Sequence, residues 1–288
     1  MKPPRFEYHR PSTRDEVTSL LAEHGDEAKI LAGGQSLVPM LNFRLAHPGH
    51  LIDINHLEGE STEPEMNDRW VTFDPLVRHV GAERSAIVEE ELPLLFEALR
   101  YVAHPAIRTR GTIVGSVAHS DPAAEIPAVL TALGGEMVAR SARGQRTLHS
   151  DDCFVGPLVN GLEQDEWMEV VRFPRRGPGD GFAFEEFSRR SGDYALCGVA
   201  AVARPTPGGM SVSLAYLGVG VTPQSVEVSA RPMAEYQHPS FLGELEHLVA
   251  AELKPYSDIH ATGAYKLFLA VRLGTKAARR AVAMGVPG

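Results

Sequence analysis

The chain has 288 residues, 43% hydrophobic and 23% charged, with a formal net charge of −9. That is ordinary globular composition with length for two or three domains, and the acidic balance argues against nucleic acid or an anionic membrane face as a partner. No apolar run approaches the roughly 20 residues of a membrane span, no apolar signal region follows Met1 to Phe6, and the two cysteines, Cys153 and Cys197, cannot hold an iron–sulfur cluster or a disulfide framework, so a reducing cytoplasm is expected.

In chain order, Ser12 opens the first predicted helix, with Asp15 in its first turn, Val17, Leu20 and Leu21 on one face and Gly25 at its end. Residues 29–31 read as a short apolar strand that runs into Gly33-Gly34, Gln35 and Ser36. Glycines at such a junction let the backbone turn sharply or approach a ligand, and N–H groups at the head of a following helix suit a phosphate. Residues 37–45 have helical spacing with Pro39 in the first turn, and residues 51–54 read as a second strand. Residues 1–56 are therefore expected to form a small α/β unit.

Residues 58–69 read as loop, 70–73 as strand, and 75–88 and 92–103 as helices. Thr112-Ile-Val-Gly-Ser116 is a second small-residue turn. Asp121-Pro122 is expected to start a helix, with aspartate as cap and Ile126, Val129, Leu130 and Leu133 as the apolar face. Residues 136–148 read as a hairpin turned at Arg143-Gly144, and residues 154–173 as loop and strand. Residues 175–181 have linker composition. Beyond them come runs at 182–187, 195–203 and 210–219 with an antiparallel pattern, then helices at 242–253 and 264–284. The last carries Lys276, Arg279 and Arg280 near its end, as the helix dipole favours.

Several familiar sites are excluded. There is no Gly-Lys-Ser/Thr phosphate loop. Gly218-Val-Gly220 has Pro223 in the third glycine position of a dinucleotide fingerprint and reads as strand. The 12 histidines form no His-Glu-x-x-His helix and have no cysteine pairs beside them, so no metal site is expected. Ser36 lacks the second glycine of a nucleophile elbow, and Asp151-Asp152 reads as a solvated loop. The two glycine turns remain. They are either unrelated or two sides of one pyrophosphate clasp, since backbone N–H donors and small hydroxyls bind that charge without a lysine.

Lys29-Ile-Leu-Ala-Gly-Gly-Gln-Ser-Leu-Val-Pro-Met-Leu-Asn-Phe-Arg44, followed by Leu51-Ile-Asp-Ile54, resembles the FAD-binding medium subunit of molybdenum hydroxylases, the family of carbon monoxide, xanthine and nicotine dehydrogenases. The run from Ile107 to Pro127 is similar to the family's second flavin motif, and Phe154-Val-Gly-Pro157, the run from Phe187 to Ala195 and the region of Tyr265 extend the likeness over nearly the whole chain. The resemblance implies an α+β fold: a two-part FAD-binding domain of the vanillyl-alcohol oxidase (PCMH) type at 1–56 and 57–176, then a C-terminal antiparallel-sheet-plus-helices domain at 177–288. It implies that Lys29, Ile30, Leu31, Ala32, Gly33, Gly34, Gln35 and Ser36 line pyrophosphate and flavin, and that Thr112, Gly115 and Ser116 hold the pyrophosphate from the other side. Asp121 and Glu125 would reach the ribose and adenine end, Ile107 and Leu162 would pack near the rings, and Tyr194 would lie against the isoalloxazine.

Two positions depart from the family pattern. Val114 stands where a glycine is usual and is expected to be extended. Glu186 stands where some relatives carry a lysine; an acid there would disfavour negative charge on reduced flavin, unless it is exposed and away from the cofactor. The implied function is electron transfer: from a molybdenum-cofactor large subunit, through [2Fe-2S] clusters in a small subunit, to FAD in this chain and then to an external acceptor. The assembly is expected to be a dimer of heterotrimers. No residue of this chain is assigned a catalytic role. A stand-alone flavin oxidase or dehydrogenase, and an assembly module with a vestigial FAD site, are the other readings.

Overall fold

The computed structural model describes residues 2–285. The first unit contains β1 (Glu7–His9), α1 (Arg14–His24), β2 (Ala28–Leu31), α2 (Leu37–Asn42) and β3 (His50–Asp53). Its three strands run parallel in the order β1-β3-β2. β1 is too short and too exposed to show an apolar alternation in sequence. Thr13, not Ser12, caps α1, accepting from the Glu16 N–H at 3.2 Å. Glu16 reaches back past the cap to accept from the Ser12 N–H at 2.6 Å, and the helix starts one residue later than expected.

The second unit contains β4 (Glu65–Met66), β5 (Trp70–Phe73), α3 (His79–Arg84), α4 (Ala86–Glu91), α5 (Pro93–Ala98), α6 (Pro105–Arg108), α7 (Ile113–His119), α8 (Glu125–Leu133), β6 (Glu136–Ser141), β7 (Gly144–His149), α9 (Ser150–Cys153), β8 (Phe154–Gly156), β9 (Val159–Asn160) and β10 (Trp167–Pro174). Its antiparallel sheet has the order β4-β5-β10-β6-β7. The two helices expected over 75–103 are three short ones. Ser85 ends one and caps the next, and Pro93, which has no N–H to continue a ladder, starts the third. Asp121 does not cap α8. Its carboxylate accepts from the Ala123 N–H at 2.8 Å in a local turn, and α8 begins only at Glu125. Asp151 and Asp152 are exposed, but on the short helix α9.

The third unit is an antiparallel meander of β11 (Gly181–Phe187), β12 (Cys197–Thr206), β13 (Gly209–Leu217) and β14 (Gln224–Arg231), followed by α10 (Met233–Gln237), α11 (Ser240–Glu252) and α12 (Gly263–Met284). Strand alternation serves two cores at once. Val199, Ala201 and Ala203 face the core under α12. Ala200 and Val202 face the core of the second unit. Gly218 is a bend after β13 rather than strand, with φ +76°. Lys276 and Arg280 serve tertiary contact rather than the dipole: each pairs with Glu185, at 2.7 and 2.8 Å, and Arg280 also pairs with Glu97 of α5.

The first unit is fastened to the second sheet by a buried carboxylate. Glu169 of β10 has no exposed surface and accepts from Arg14 at 2.9 Å, Arg140 at 2.7 Å and Gln145. Trp167, buried beside it in the first unit's core, donates to Thr18 at 3.2 Å. Burial pushes the Glu169 carboxyl up, but the hydrogen bonds from Arg14, Arg140 and Gln145 outweigh it and hold it below the ordinary range. A depressed folded pKa means stability that is present above the unfolded value of about 4.3 and is lost as pH falls through the folded value. Glu169→Ala is expected to cost about 3 kcal/mol by leaving two arginines without their shared partner, and Glu169→Gln to flatten the decline in stability below about pH 4. Urea titrations across pH measure both.

Candidate functional site

A cleft of about 800 Å³ opens between the first unit and the second. Lys29, Ile30, Ala32, Gly33, Gly34, Gln35, Ser36, Ile107, Thr112, Gly115, Ser116, Asp121, Glu125, Leu162 and Tyr194 all line it. Leu31 lies behind the first loop, where its side chain packs under Gly34.

The first loop joins β2 to α2. Its two glycines are required for different reasons. Gly34 has φ +71°, and a Cβ there would also come within 3.0 Å of Leu31 and 3.1 Å of Val38. The backbone conformation by itself demands glycine at that position, the first of the two reasons the sequence offers. Gly33 has no such φ, but a Cβ on it would lie 2.5 Å from the Arg110 carbonyl oxygen and 2.7 Å from the Gly111 Cα. Two backbones therefore touch here, one from each wall. Among the described residues, the N–H groups of Gly34, Gln35 and Ser36 donate to no acceptor within the chain.

The second loop is not an open turn. Thr112 is the N-cap of α7, and its hydroxyl accepts from the Gly115 N–H at 2.9 Å. A Cβ on Gly115 would stand 2.6 Å from that oxygen, so the glycine serves the cap. Val114 is helical and buried rather than extended, and its φ is negative, so the departure from the family pattern carries no backbone strain.

Three residues that sequence reasoning missed hold the loops together. Asn55 donates to the Ala32 carbonyl at 2.8 Å and accepts from Arg78. Arg78 also donates to the Arg110 carbonyl at 2.5 Å. His79 contributes its backbone N–H to Gly111 at 2.9 Å and its Nε2 to the Thr112 carbonyl at 2.9 Å. A carbonyl only accepts, so Nε2 carries the proton and Nδ1 is left as a buried acceptor with no partner in the cleft wall. Burial pushes the His79 pKa down to about 4, so the ring is neutral at pH 7. No motif marks these residues, because each acts through backbone carbonyls that only the fold brings near.

At the far end, burial and the nearby Asp121 raise the Glu125 carboxyl to about 7, although its own backbone N–H opposes the shift. Glu186 of β11 is not an exposed surface acid. One of its carboxylate oxygens is buried without a partner, and burial plus the Glu125 charge push its pKa up to about 9. It is therefore neutral near pH 7 and imposes no negative charge there. Tyr194 stands at the rim, 72% exposed. The β8–β9 hairpin is strapped to α7 by Asn160, which donates to the Ala118 carbonyl at 2.7 Å, and this sets Leu158 and Leu162 along the mouth.

If the Gly33 contact joins the two walls, Gly33→Ala is expected to destabilise the chain by about 1–3 kcal/mol through overpacking. Gly34→Ala is expected to cost about 1 kcal/mol through its left-handed φ. Chemical denaturation distinguishes them, and a Gly33→Ala chain as stable as the parent contradicts the contact.

Comparison with known proteins agrees with this arrangement. The profile of the family described as "FAD binding domain in molybdopterin dehydrogenase" matches residues 4–176, and that of the "CO dehydrogenase flavoprotein C-terminal domain" matches residues 182–281. The 6-hydroxypseudooxynicotine dehydrogenase complex subunit alpha of Paenarthrobacter nicotinovorans is 37% identical over 92% of this chain and 90% of its own. Caffeine dehydrogenase subunit beta of Pseudomonas sp. (strain CBB1) is 44% identical over 69% of this chain and 68% of its own. Among solved structures, a chain of carbon monoxide dehydrogenase from Hydrogenophaga pseudoflava superposes with a TM-score of 0.90 at 32% identity, covering 99% of this chain and 100% of that one. With both parts of the chain matched and the cleft built as described, the chain belongs to the family of FAD-binding subunits of molybdopterin dehydrogenases and is a flavoprotein component of an oxidoreductase.

Proposed function

We propose that this chain is the electron-transfer subunit of a heterotrimeric molybdenum hydroxylase, probed most directly through its FAD cleft. In this reading a large subunit holds the molybdenum cofactor, a small subunit holds [2Fe-2S] clusters, and two heterotrimers assemble in the cytoplasm. Electrons reach this chain from the clusters and leave to an external acceptor. Residues 1–56 and 57–176 are the two parts of the FAD domain, and residues 177–288 form the C-terminal domain. The observation that carries the reading is the facing pair of loops, with unpaired N–H groups at Gly34, Gln35 and Ser36 on one wall and the Thr112 cap on the other.

The residues present fit the cofactor. A pyrophosphate needs convergent donors; the first loop offers N–H groups and the Ser36 hydroxyl, and α7 adds the Ser116 hydroxyl to the cleft lining. The unpartnered His79 Nδ1 is an acceptor suited to a ligand hydroxyl or amide. FAD supplies the redox chemistry, taking up and releasing electrons. The protein's part is to bind, orient and shield it. Asn55, Arg78 and His79 fix the spacing of the loops. Ile107 and Leu162 supply apolar wall, Asp121 and Glu125 polar groups at the ribose and adenine end, and Tyr194 an aromatic rim. The chain has no thiolate for a cluster: Cys153 and Cys197 are both buried, and burial pushes their thiols up, Cys153 to about 12. Iron–sulfur centres then belong to a partner. The unstrained Val114 removes the motive for a vestigial FAD site.

Co-expression with candidate large and small subunits tests the assignment. The expected result is co-purification with FAD, iron and molybdenum, and flavin bleaching when the hydroxylation substrate is added to the complex but not to this chain alone. Turnover of an organic substrate by the isolated chain would contradict the subunit reading. Asn55→Ala is expected to weaken FAD binding by up to about tenfold, the effect of losing a supporting hydrogen bond. Glu186→Gln is expected to leave the flavin midpoint potential unchanged at pH 7, where the acid is already neutral, and to remove any drift seen above about pH 9. Spectroelectrochemistry across pH reads this directly.

A further inference from the structure

The first unit gathers three histidines that lie far apart in sequence. Glu7 and His9 project from the same face of β1, and the pairing of Glu7 with His50 puts the β3 histidine on that face as well. His24, the last residue of α1, arrives from the helix packed beside the sheet. Each of the three offers a ring nitrogen, and these atoms all lie within 4.8 Å of one another. His9 Nε2 and His50 Nδ1 are 3.0 Å apart. The His24 and His50 rings stack, with centroids 3.6 Å apart and planes at 5°. The carboxylate of Glu7 stands 3.7 Å from His50 Nδ1.

We propose that His9, His24 and His50 form a binding site for a borderline divalent transition ion, with zinc as its representative. Neutral imidazole is the commonest protein ligand for such ions, and three of them leave a fourth position for water or Glu7. Metal–nitrogen distances of about 2.0–2.1 Å place ligand nitrogens roughly 3.3 Å apart around a tetrahedral ion, so the trio, spread over at most 4.8 Å, has to draw in by up to about 1.5 Å. Two rearrangements are required. The proton between His9 and His50 moves to the outer nitrogen of its ring, with no net proton loss when all rings are neutral. The His24 ring turns about its Cβ–Cγ bond, because parallel rings cannot aim in-plane lone pairs at one point. The His24 side chain is partly exposed, which leaves room for that rotation. The location favours a cation further: His24 ends an eleven-residue helix, whose free carbonyls carry partial negative charge. A bound ion would cross-link β1, α1 and β3, the frame behind the first cleft loop.

The test uses the full chain, made without a histidine tag and titrated with Zn²⁺ against a chromophoric chelator near neutral pH. One equivalent is expected to bind the parent more tightly than any zinc bound by the His9→Ala/His24→Ala/His50→Ala variant, and to raise the melting temperature of the parent alone. His24→Phe keeps the stacked ring and loses the nitrogen, so it guards against a fold effect and is expected to weaken binding about tenfold or more. Equal zinc affinity and stoichiometry in parent and triple variant, full affinity in His24→Phe, or no stoichiometric uptake by the parent would each overturn the assignment.

Discussion

The site depends on one close backbone contact. Gly33 of the first unit rests against the Arg110 carbonyl and Gly111 Cα of the second, nearer than any side chain would permit. That approach lets the two loops face one ligand instead of standing as separate turns. It also explains why the surrounding hydrogen bonds run to backbone carbonyls. Asn55 holds Ala32, Arg78 holds Arg110, and His79 holds Gly111 and Thr112. A contact between two main chains has no side chains of its own to fix its position, so neighbouring residues supply the bonds.

Away from the cleft, the same pair of units is fastened electrostatically. Glu169 is buried between Arg14 and Arg140, and Trp167 donates to Thr18 across the same boundary. Such a boundary tolerates little slippage, because moving either unit would leave a desolvated charge without its partner. The glycine contact needs that rigidity, as a shift of about an ångström would open it. Two other acids behave differently. Glu125 and Glu186 have no cationic partner as close as those of Glu169, and burial raises both. One part of the molecule therefore holds a buried carboxylate charged and another holds one neutral, according to whether arginines are within hydrogen-bond reach.

The third unit shows how a sheet can belong to two cores. Successive residues of β12 alternate between the face under α12 and the face against α5 and α8. The C-terminal unit is thereby continuous with the packing that supports α8, whose first residue is Glu125 at the end of the cleft. Arg280 and Lys276 clamp the same junction through Glu185 and Glu97. A change in the C-terminal unit can therefore reach the cleft through α8 as well as through Gly192, Asp193 and Tyr194, which line it.

By itself, the sequence determined the antiparallel pattern of the C-terminal strands and the two glycine motifs, because apolar periodicity, turn residues and small-residue strings are local signals; the α+β class came as what the family resemblance implies. The sequence also carried that family likeness, and with it the cleft-lining residues from Lys29 to Tyr194. It placed several helix starts wrongly. Asp121 resembles a cap but closes its own turn, and Ser12 yields to Thr13, because each choice turns on which N–H a side chain meets in three dimensions. Only the tertiary structure decided what joins the loops, why Gly33 and Gly34 are glycine for different reasons, that Val114 is helical, and that one carboxylate oxygen of Glu186 is buried without a partner. Only it brought His9, His24 and His50 together. Those features are distances between residues far apart along the chain, and no local pattern encodes them.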